Sequence, residues 1–333
     1  MRSAVHVIAL FGPTGVGKTA IAVALARELR ARGEQPVAIS ADALQVYRGL
    51  ETLTGVASAA ERAELEHRLI SFLPLDGSFS AGQYAELAHA EIDMALSEGR
   101  RPIVVGGTGL YLRAALTNLD LRPPPPEGVR ERWTAELERH GAPALHALLA
   151  QRAPWAAEGI APNDRQRVVR ALELLDAGEL PHPGTPHGGV HTREHGQADD
   201  QPDNPSQLWT EEVRQPTMLV GLVMERDELY ARINARVEGM LTAGVREEVR
   251  RAHAAGASGT ARKALGFEEI LSDDVEATKR RTRNYARRQL TWMRKLSGVY
   301  EMDVSGRAAE DTAAEIVEAV GKLEESEPNS QSA

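Results

Sequence analysis

Short apolar runs alternate with amphipathic stretches along the first third of the chain. The runs "VHVIALF" and "QPVAIS" enclose a helical pattern over residues 19–32 that ends at Gly33, and another long helical pattern precedes the run "RPIVVGG". Apolar runs of strand length that alternate with segments of period 3.6 are typical of strand–helix–strand units. The pattern predicts an α/β fold with a parallel sheet flanked by helices, in which the second strand runs beside the first.

Four prolines at positions 123–126 end this alternation. The stretch that follows, up to about residue 180, contains only helical patterns, which predict an all-helical insertion domain over residues 122–214. The strand pattern returns at "TMLVGLVM" and is followed by a long amphipathic helix pattern. Residues 1–121 and 215–320 are therefore expected to form one core in two parts.

Two segments lack the apolar content of a packed element. Residues 181–216 are rich in Gly, Pro, His and Asp and are predicted to form a mobile loop. The four histidines of this loop have no helical or strand spacing that would preorganise a metal site, so we assign none there. The tail at 321–333 is predicted to be disordered.

Composition limits the chemistry of the chain. The 333 residues are 42% hydrophobic, enough for a substantial core. No apolar run approaches the ~20 residues of a bilayer span, and the first residues lack a signal-peptide pattern, so we expect a cytoplasmic protein without membrane contact. We also expect it to be a monomer. Because the chain has no cysteine, thiolate chemistry is excluded, and carboxylates, hydroxyls, cations and a hard metal ion remain.

The charge of the chain is unevenly distributed. The net charge is −9, yet residues 277–298, called the basic segment below, contain eight basic side chains and no acidic one. A charge run of this kind is usually a solvated helix face, whereas the interleaved Tyr285 and Trp292 favour a surface for a polyanion. Both interpretations stay open. On a helix, Arg280, Arg283 and Arg287 would form one stripe.

The sequence "GPTGVGKT" is a phosphate-binding P-loop pattern of the kind found in ATP-binding proteins. The pattern follows a predicted strand and opens a predicted helix, which is the context that the motif requires. Its glycines allow backbone N–H groups to surround a phosphate, Lys18 adds charge, and Thr19 is suited to place a hydroxyl on Mg²⁺. The phosphate-binding residues are predicted to be Gly12, Pro13, Thr14, Gly15, Val16, Gly17, Lys18 and Thr19.

In an ATPase or GTPase, a second strand normally ends in an acidic residue whose carboxylate helps to hold Mg²⁺. Here the strand in "PIVVGGTGLY" ends in glycines, so the loop is suited to a diphosphate that leaves during the reaction. The available acid is Asp42, at the end of the strand "VAIS". It either faces the ligand of the loop at the carboxyl edge of the sheet or caps the turn that follows. The spacing alone does not decide between these two roles.

Six motifs in this order resemble those of the bacterial tRNA dimethylallyltransferases, also called tRNA isopentenyltransferases. They are "GPTGVGKT", "SADALQVYRG", "PIVVGGTGLYLRA", "NDRQRVVRALE", "ERDELYARINARVEGML" and "YARRQLTWMRK", and the resemblance covers residues 7–294 apart from the loop. It implies a fold like that of P-loop kinases with a helical insertion. It also implies transfer of a dimethylallyl group from dimethylallyl diphosphate to N6 of the adenosine 3′ of the anticodon, in tRNAs that read codons starting with U.

The resemblance implies roles for particular residues. Asp42 would act as general base on the adenine amine and stay ionised at neutral pH, while Lys18, Mg²⁺ on Thr19 and Arg226 would stabilise the leaving diphosphate. The target base would be turned out of the anticodon loop. The positions that would contact tRNA are Asp42, Ala43, Leu44, Gln45, Thr108, Arg165, Gln166, Arg167, Val168, Val169 and Arg170.

One segment departs from the family pattern. Relatives commonly have Ile-Gly-Thr-Ala-Lys-Pro after the Tyr-Arg-Gly sequence, whereas this chain has "LETLTGVASAAER" after Gly49 and lacks the lysine and the proline. Two other functions are compatible with the loop. A P-loop kinase of a nucleoside or metabolite would leave the helical insertion and "YARRQLTWMRK" without a role. An RNA-binding protein whose nucleotide site is only a switch would leave Asp42 without a role.

Overall fold

The structure, a computed structural model, describes residues 5–119, 125–180 and 213–326. The chain divides into two compact units, Met1–Asp120 together with Trp209–Ala333, and Leu121–Leu208. The first unit contains a parallel sheet whose strand order is β3-β2-β4-β1-β5-β6. Its strands in the described residues are β1 (Val7–Phe11), β2 (Pro36–Ser40), β3 (His67–Arg68), β4 (Arg101–Gly106), β5 (Thr217–Val223) and β6 (Val299–Asp303).

Helices connect the strands and form most of the described part of the second unit. In the first unit, those before the insertion are α1 (Lys18–Ala31), α2 (Glu51–Thr54), α3 (Ala59–Glu64), α4 (Ala81–Ser97) and α5 (Gly109–Leu116). The second unit contains α6 (Val129–Arg152), α7 (Pro154–Glu158) and α8 (Arg165–Asp176). The first unit continues with α9 (Arg226–Thr242), α10 (Val245–Ala254), α11 (Phe267–Leu271), α12 (Val275–Met293) and α13 (Ala309–Ser326). The α/β class predicted from the apolar pattern is confirmed.

The prediction that the second strand runs beside the first is wrong. β4 lies between β1 and β2, with Phe11 paired to Gly106 on one side and Ser40 paired to Val105 on the other. All three strands are parallel, so their carboxyl ends share one edge of the sheet. The glycines that follow β4 are therefore the direct neighbours of the P-loop, and the segment after β2 lies one strand further away.

Several groups of buried apolar side chains hold the described part of the first unit together, and two of them position the segments around the P-loop. The central cluster joins β1, β5, α1 and α13 through fully buried side chains such as Ile8, Leu25 and Ile316. A second cluster contains Tyr47, Leu50 and Phe267 and holds α2, α10 and α11 together. Because burial of apolar side chains is the main stabilising contribution to a fold, these clusters fix the segments that follow β2 as well as the sheet itself.

The second unit has its own core. Its helices α6 and α8 pack against each other around Trp133, Leu149 and Leu172. α6 is interrupted at Gly141, whose φ of 77° is left-handed and whose neighbour Pro143 follows two residues later. Glycine tolerates this conformation without steric cost, so it allows the change of helix direction.

The end of the chain differs from the prediction. α13 continues to Ser326, so residues 321–326 are helical and the predicted disordered tail is wrong there. The remaining tail lies outside the described residues, as do residues 181–212 of the predicted loop and its four histidines. Within the loop, Val213 is described and pairs with Thr117 in an antiparallel bridge. None of the helices in the described ranges is long and apolar enough to span a bilayer.

Candidate active site

The P-loop between β1 and α1 has a conformation that needs its glycines. Gly15 and Gly17 have φ values of 88° and 101°, in the left-handed region that other residues rarely adopt. Gly15 also lies against α9, where an added Cβ would come within 2.8 Å of Ile233 Cγ1. Backbone conformation and close packing therefore both require glycine at position 15.

The N-terminus of α1 is free to receive an anion. Its N-cap is Gly17, which has no side chain to accept the first N–H groups, and the first turn of the helix contains no acidic residue. The first amides of a helix carry the positive end of its dipole and have no partner within the helix. Together with the loop amides they form a cradle suited to phosphate.

Lys18 points back at its own loop. Its Nζ donates to the carbonyl oxygens of Gly12 and Pro13, each at 2.9 Å. Burial lowers the pKa of Lys18 from its ordinary value to about 8, against the opposing effect of Asp42, which raises it, and with a further lowering by Arg236. A bound phosphate would offer this ammonium group a stronger acceptor than the two carbonyl groups.

A cavity of about 580 Å³ opens beside the loop. The P-loop, the segments after β2 and α2, and the helices α9 and α12 all contribute to it, and its polar end contains Lys18, Thr19 and Asp42. Its basic lining residues outnumber its acidic ones by six to two: Lys18, Arg232, Arg236, Lys263, Arg281 and Arg288 against Asp42 and Glu61. In a chain of net charge −9, this is a local positive site for an anionic ligand.

Asp42 caps the turn after β2 and also lines the cavity. Its Oδ1 accepts hydrogen bonds from the backbone N–H groups of Leu44 at 2.9 Å and Gln45 at 3.4 Å, so it stabilises the turn after β2. The same residue lines the cavity together with Lys18. The turn fixes where the carboxylate lies, because one oxygen is held by the backbone. The residues after Asp42 form turns and not a helix, so Asp42 is not a helix N-cap.

Gln45 is less available than its predicted contact with tRNA requires. Its Oε1 accepts from the Ser40 hydroxyl at 2.9 Å, and its Nε2 donates to the carbonyl oxygens of Gly55 at 3.1 Å and Thr54 at 3.4 Å. Both ends of the amide are therefore used inside the protein, although the residue lines the cavity. Leu44 also lines it, whereas Ala43 is not among the lining residues.

Thr108 lies at the start of α5 and its hydroxyl is 3.3 Å from the Tyr285 hydroxyl. Thr108 itself is not among the residues that line the cavity, but Tyr285 is. Burial raises the pKa of Tyr285, and the Asp42 charge raises it further, so the phenol stays protonated. The Arg288 guanidinium lies over its ring at 5.5 Å. Thr108 therefore contacts a cavity-lining residue without lining the cavity itself.

Two specific motifs of the sequence, "GGTGLY" and "YARRQLTW", meet in space. A Cβ on Gly107 would lie 2.3 Å from Gln289 Nε2, and a Cβ on Gly109 would lie 2.0 Å from the Trp292 ring. The missing side chains of the first motif thus make room for α12. The absence of an acid at the end of β4 has the same explanation, since only glycine fits between Gly12 and Gln289.

The assignment of the diphosphate arginine to Arg226 is corrected by its position. Arg226 is exposed at the start of α9, lies over the Tyr230 ring at 5.3 Å and is not among the cavity-lining residues. Two arginines further along α9, Arg232 and Arg236, do line the cavity. Sequence reasoning missed them, although their i, i+4 spacing in "RINARVEGM" indicates one helix face.

Arg236 is held at the segment that departs from the family pattern. Burial lowers its pKa, while Asp42 and Glu61 raise it. Its guanidinium occupies the space beside Gly55, where an added Cβ would lie 1.7 Å from a guanidinium nitrogen. Although the segment lacks the lysine common in relatives, a cation is therefore present against it.

The departing segment is also anchored from α10. The buried carboxylate of Glu248 accepts from the N–H groups of Thr52 at 3.0 Å and Leu53 at 2.8 Å. These are amides of the first turn of α2, which have no partner within the helix. Sequence reasoning missed Glu248, because no local signal connects it with a helix almost two hundred residues earlier.

The basic segment forms most of α12, and its cavity-facing side differs from the predicted stripe. The residues of α12 that line the cavity are Thr278, Arg281, Thr282, Tyr285, Arg288 and Gln289. Arg283 instead donates to Asn234 Oδ1 at 2.6 Å, and Arg287 donates to Asn284 Oδ1. The stripe of Arg280, Arg283 and Arg287 is therefore not the side that lines the cavity.

The predicted tRNA contacts on α8 lie in the second unit and divide into two groups. Arg165, Gln166 and Arg167 are exposed, so they are available to a partner. Val168 and Val169 belong to the core of the unit, with 0% and 9% exposure, and the prediction that they contact tRNA is wrong. They face inward together with Leu172, which lies one helical turn further along the same side of α8.

Arg170 is the last of the predicted contacts on α8. It is half-buried and pairs with the buried carboxylate of Glu173, to which Arg130 is also bonded. Its guanidinium therefore has an internal partner, and its first role is to neutralise Glu173.

The residues at the cavity fit Mg²⁺ only together with a phosphate ligand. The described residues contain no cluster of three or more carboxylate or imidazole groups that could hold a metal alone. Mg²⁺ at phosphate sites uses one or two protein oxygens and completes its shell with phosphate and water. The Thr19 hydroxyl is such an oxygen, and Thr19 lines the cavity.

This fold and this site define a P-loop α/β protein in which the phosphate-binding loop and the Asp42 carboxylate line one cavity. The family model described as IPP transferase matches residues 45–296, and the chain belongs to this family. The tRNA dimethylallyltransferase of Rhodospirillum centenum is 41% identical over 301 residues, which are 86% of this chain and 88% of that protein. That of Shouchella clausii is 36% identical over 300 residues, 87% of this chain and 88% of that protein. The family resemblance is thus confirmed.

Solved structures agree with this assignment. The full-length tRNA isopentenylpyrophosphate transferase of Bacillus halodurans superposes with a TM-score of 0.65 at 31% identity, over 96% of both chains. A eukaryotic dimethylallyltransferase acting on tRNA gives a TM-score of 0.71 at 23% identity, over 98% of this chain and 81% of that chain. The second likeness concerns the fold alone.

Proposed function

We propose that this protein is a tRNA dimethylallyltransferase that moves a dimethylallyl group from dimethylallyl diphosphate to N6 of the adenosine 3′ of the anticodon. The acceptors are tRNAs that read codons starting with U. The observation that carries the proposal is the cavity in which Asp42 and the P-loop lysine lie together, in a chain of this family.

The diphosphate is bound by the loop amides, the N-terminus of α1, Lys18 and Arg236. The Thr19 hydroxyl is the protein oxygen that would hold Mg²⁺, which supplies charge stabilisation to the leaving diphosphate when it is bound. The dimethylallyl group is apolar and requires an apolar wall. The cavity offers one from α2, α9 and the loop before α11, made of Leu53, Val237, Met240 and Leu265.

The reaction exchanges one bond of the allylic carbon for another. The C–O bond to the diphosphate breaks and its electron pair leaves with the diphosphate, while the N6 lone pair of adenine forms the new C–N bond. Lys18 and Arg236 stabilise the charge that develops on the leaving oxygen. Asp42 accepts the proton that N6 loses, because the amine is a weak nucleophile until that proton is removed. The products are N6-isopentenyladenosine and diphosphate.

The tRNA must deliver its adenosine out of the stack of the anticodon loop. Tyr285 has an aromatic ring on the cavity wall, and Arg281 and Arg288 lie on the same side of α12, so this side is suited to a base and its phosphates. We assign contacts with the anticodon stem-loop also to Arg165, Gln166 and Arg167 of α8.

The kinase and switch hypotheses are not favoured by the family assignment. Incubating the purified protein with labelled dimethylallyl diphosphate, Mg²⁺ and total tRNA should transfer label to tRNA. Parallel reactions with ATP and a panel of nucleosides and metabolites should give neither phosphorylated products nor appreciable hydrolysis. Label transfer that stays at background, together with robust tRNA-independent ATP hydrolysis, would contradict the proposal.

A further inference from the structure

The side-chain amide of Gln289 connects two loops that are far apart in the chain. Its Oε1 accepts from the Thr14 N–H at 2.9 Å, and its Nε2 donates to the Gly107 carbonyl oxygen at 2.7 Å. The residue is only 6% exposed, so water competes little for either bond. An amide is the side-chain group that can accept at one end and donate at the other.

The two loops that Gln289 joins follow neighbouring strands. Phe11 at the end of β1 pairs with Gly106 at the end of β4, so the P-loop and the glycines after β4 begin side by side. A Cβ on Gly107 would lie 2.9 Å from the Gly12 carbonyl oxygen and 2.3 Å from Gln289 Nε2. The amide therefore lies in a space that exists only because residue 107 is glycine.

We infer that Gln289 is a positioning residue that holds the P-loop in the conformation that binds diphosphate. This inference rests on the proposed function and concerns the same site. A glycine-rich loop loses much conformational freedom when it closes around a ligand, and a loop that is fixed beforehand avoids that cost at binding. Because the Thr14 N–H is bonded to Gln289, the amides that follow it are held in place for the phosphate.

The position of Gln289 on α12 adds a second consequence. Tyr285, one helical turn before it, and Arg288, the preceding residue, line the cavity on the side that we assign to tRNA. The two hydrogen bonds of Gln289 therefore set the distance between the diphosphate loop and the acceptor side of the cavity. Since group transfer depends strongly on the alignment of the two reactants, the amide influences turnover as well as binding.

Binding of inorganic pyrophosphate with Mg²⁺, measured by calorimetry, tests the inference without the transfer reaction. Gln289→Met retains the size of the side chain and removes both hydrogen bonds. We expect its Kd for pyrophosphate to rise about tenfold or more at a temperature where the variant is fully folded. Thr291→Ala, an exposed change on the same helix, is the matched control and should leave this Kd unchanged.

Gln289→Glu gives a readout that a purely structural role would not move. The ionised carboxylate can accept from Thr14 but repels the Gly107 carbonyl oxygen, whereas the protonated carboxyl can replace both functions of the amide. The ratio of the variant's Kd to the wild-type Kd should therefore fall towards one as the pH is lowered. The titratable or charged groups that line the cavity nearby, Lys18, Asp42, Tyr285 and Arg288, are present in both proteins.

The outcomes separate this inference from the proposed function. If wild-type protein does not bind pyrophosphate at all, the proposed function fails. If wild-type protein binds it and folded Gln289→Met binds it equally well, the positioning role is wrong. Should Gln289→Met not fold, the Gln289→Glu ratio decides, and a ratio that does not change with pH overturns the inference.

Discussion

Gly109 and the indole ring of Trp292 are in direct contact: a Cβ on Gly109 would lie 2.0 to 2.3 Å from three atoms of that ring. On its other side the indole lies against Phe11, with ring centroids 6.0 Å apart. The start of α5 and the end of β1 thus enclose one aromatic side chain of α12. This contact holds α12 at the edge of the sheet where Gln289 reaches the P-loop.

Gly109→Ala should destabilise the protein, because the added methyl group forces the indole or the start of α5 to move. Overpacking of this kind costs about 1–3 kcal/mol of unfolding free energy, measured by urea denaturation. Gly239→Ala is the control, and we expect it to change the free energy of unfolding in the opposite direction. No atom lies within 4 Å of a Cβ on Gly239, which is in the helix α9, so alanine should stabilise by about 0.5–1 kcal/mol. Equal effects of the two substitutions would contradict the close contact.

The contact with Trp292 also shows where sequence reasoning succeeds and where it stops. The strand and helix patterns depend on local spacing, so the α/β class and the P-loop context could be predicted. The strand order could not, because the position of β4 between β1 and β2 depends on long-range packing. The pairing of Gly107 with Gln289 depends on residues 182 positions apart, which no local pattern reveals.

The choice of arginine shows the same limit within the site. A motif match identified Arg226, but the helical period determines which side of α9 faces the cavity, and that side contains Arg232 and Arg236. The side of α12 that lines the cavity could not be predicted either, since the basic segment has cations over a wide arc of the helix and not on one narrow stripe. The folded structure is needed to see which of these cations bind other side chains, as Arg283 binds Asn234.

Asp42→Asn should retain binding of pyrophosphate and tRNA but lose turnover. The amide can still accept a hydrogen bond from Leu44 N–H and preserve the turn, but it cannot take the proton from N6. Loss of general-base catalysis typically lowers kcat by ~10²–10⁴-fold, which single-turnover transfer of labelled prenyl group would measure. Turnover near that of the wild type would exclude Asp42 as the base.

Pyrophosphate affinity should decrease as the pH rises above about 8. The pKa of Lys18 is lowered to about 8 in the free protein by burial, and a bound anion favours the ammonium form. Above this pH the free protein has lost the proton and must take it up on binding, so Kd should rise by up to about tenfold per pH unit.

Calorimetry in two buffers of different ionisation enthalpy would detect this proton uptake. Lys18→Met is the control, because it retains only the titration of pyrophosphate itself. The lowered pKa of Lys18 also affects the stability of the fold. Between about pH 8 and the ordinary lysine pKa, this lysine is protonated in the unfolded chain and largely deprotonated in the folded protein. Its contribution to the free energy of unfolding therefore rises with pH in this range. A wild-type affinity profile identical to that of Lys18→Met would refute the role of the lysine.

Arg236→Gln should raise KM for dimethylallyl diphosphate, whereas Arg226→Gln should not. Arg236 lies in the cavity beside Gly55, and hydrogen bonds to charged groups contribute about 1.5–3 kcal/mol, which corresponds to roughly 10–100-fold. Arg226 is exposed and lies over Tyr230 outside the cavity lining. Steady-state kinetics at saturating tRNA compares the two variants. The reverse ranking would restore the assignment of the diphosphate arginine to Arg226.

The charge of α12 gives a final comparison between two sides of one helix. Arg281 and Arg288 line the cavity, while Arg280 and Arg287 are exposed and do not. Replacing Arg281 and Arg288 together by Gln should weaken tRNA binding and flatten the dependence of log K on log salt by about 0.7–0.9 for each lost phosphate contact. The matched pair Arg280→Gln and Arg287→Gln changes net charge equally and should leave the slope nearly unchanged. Both pairs remove two charges from the same helix. If the two double variants have equal salt slopes, tRNA binding depends only on the total charge of α12. The cavity-lining side would then have no specific contact with phosphate.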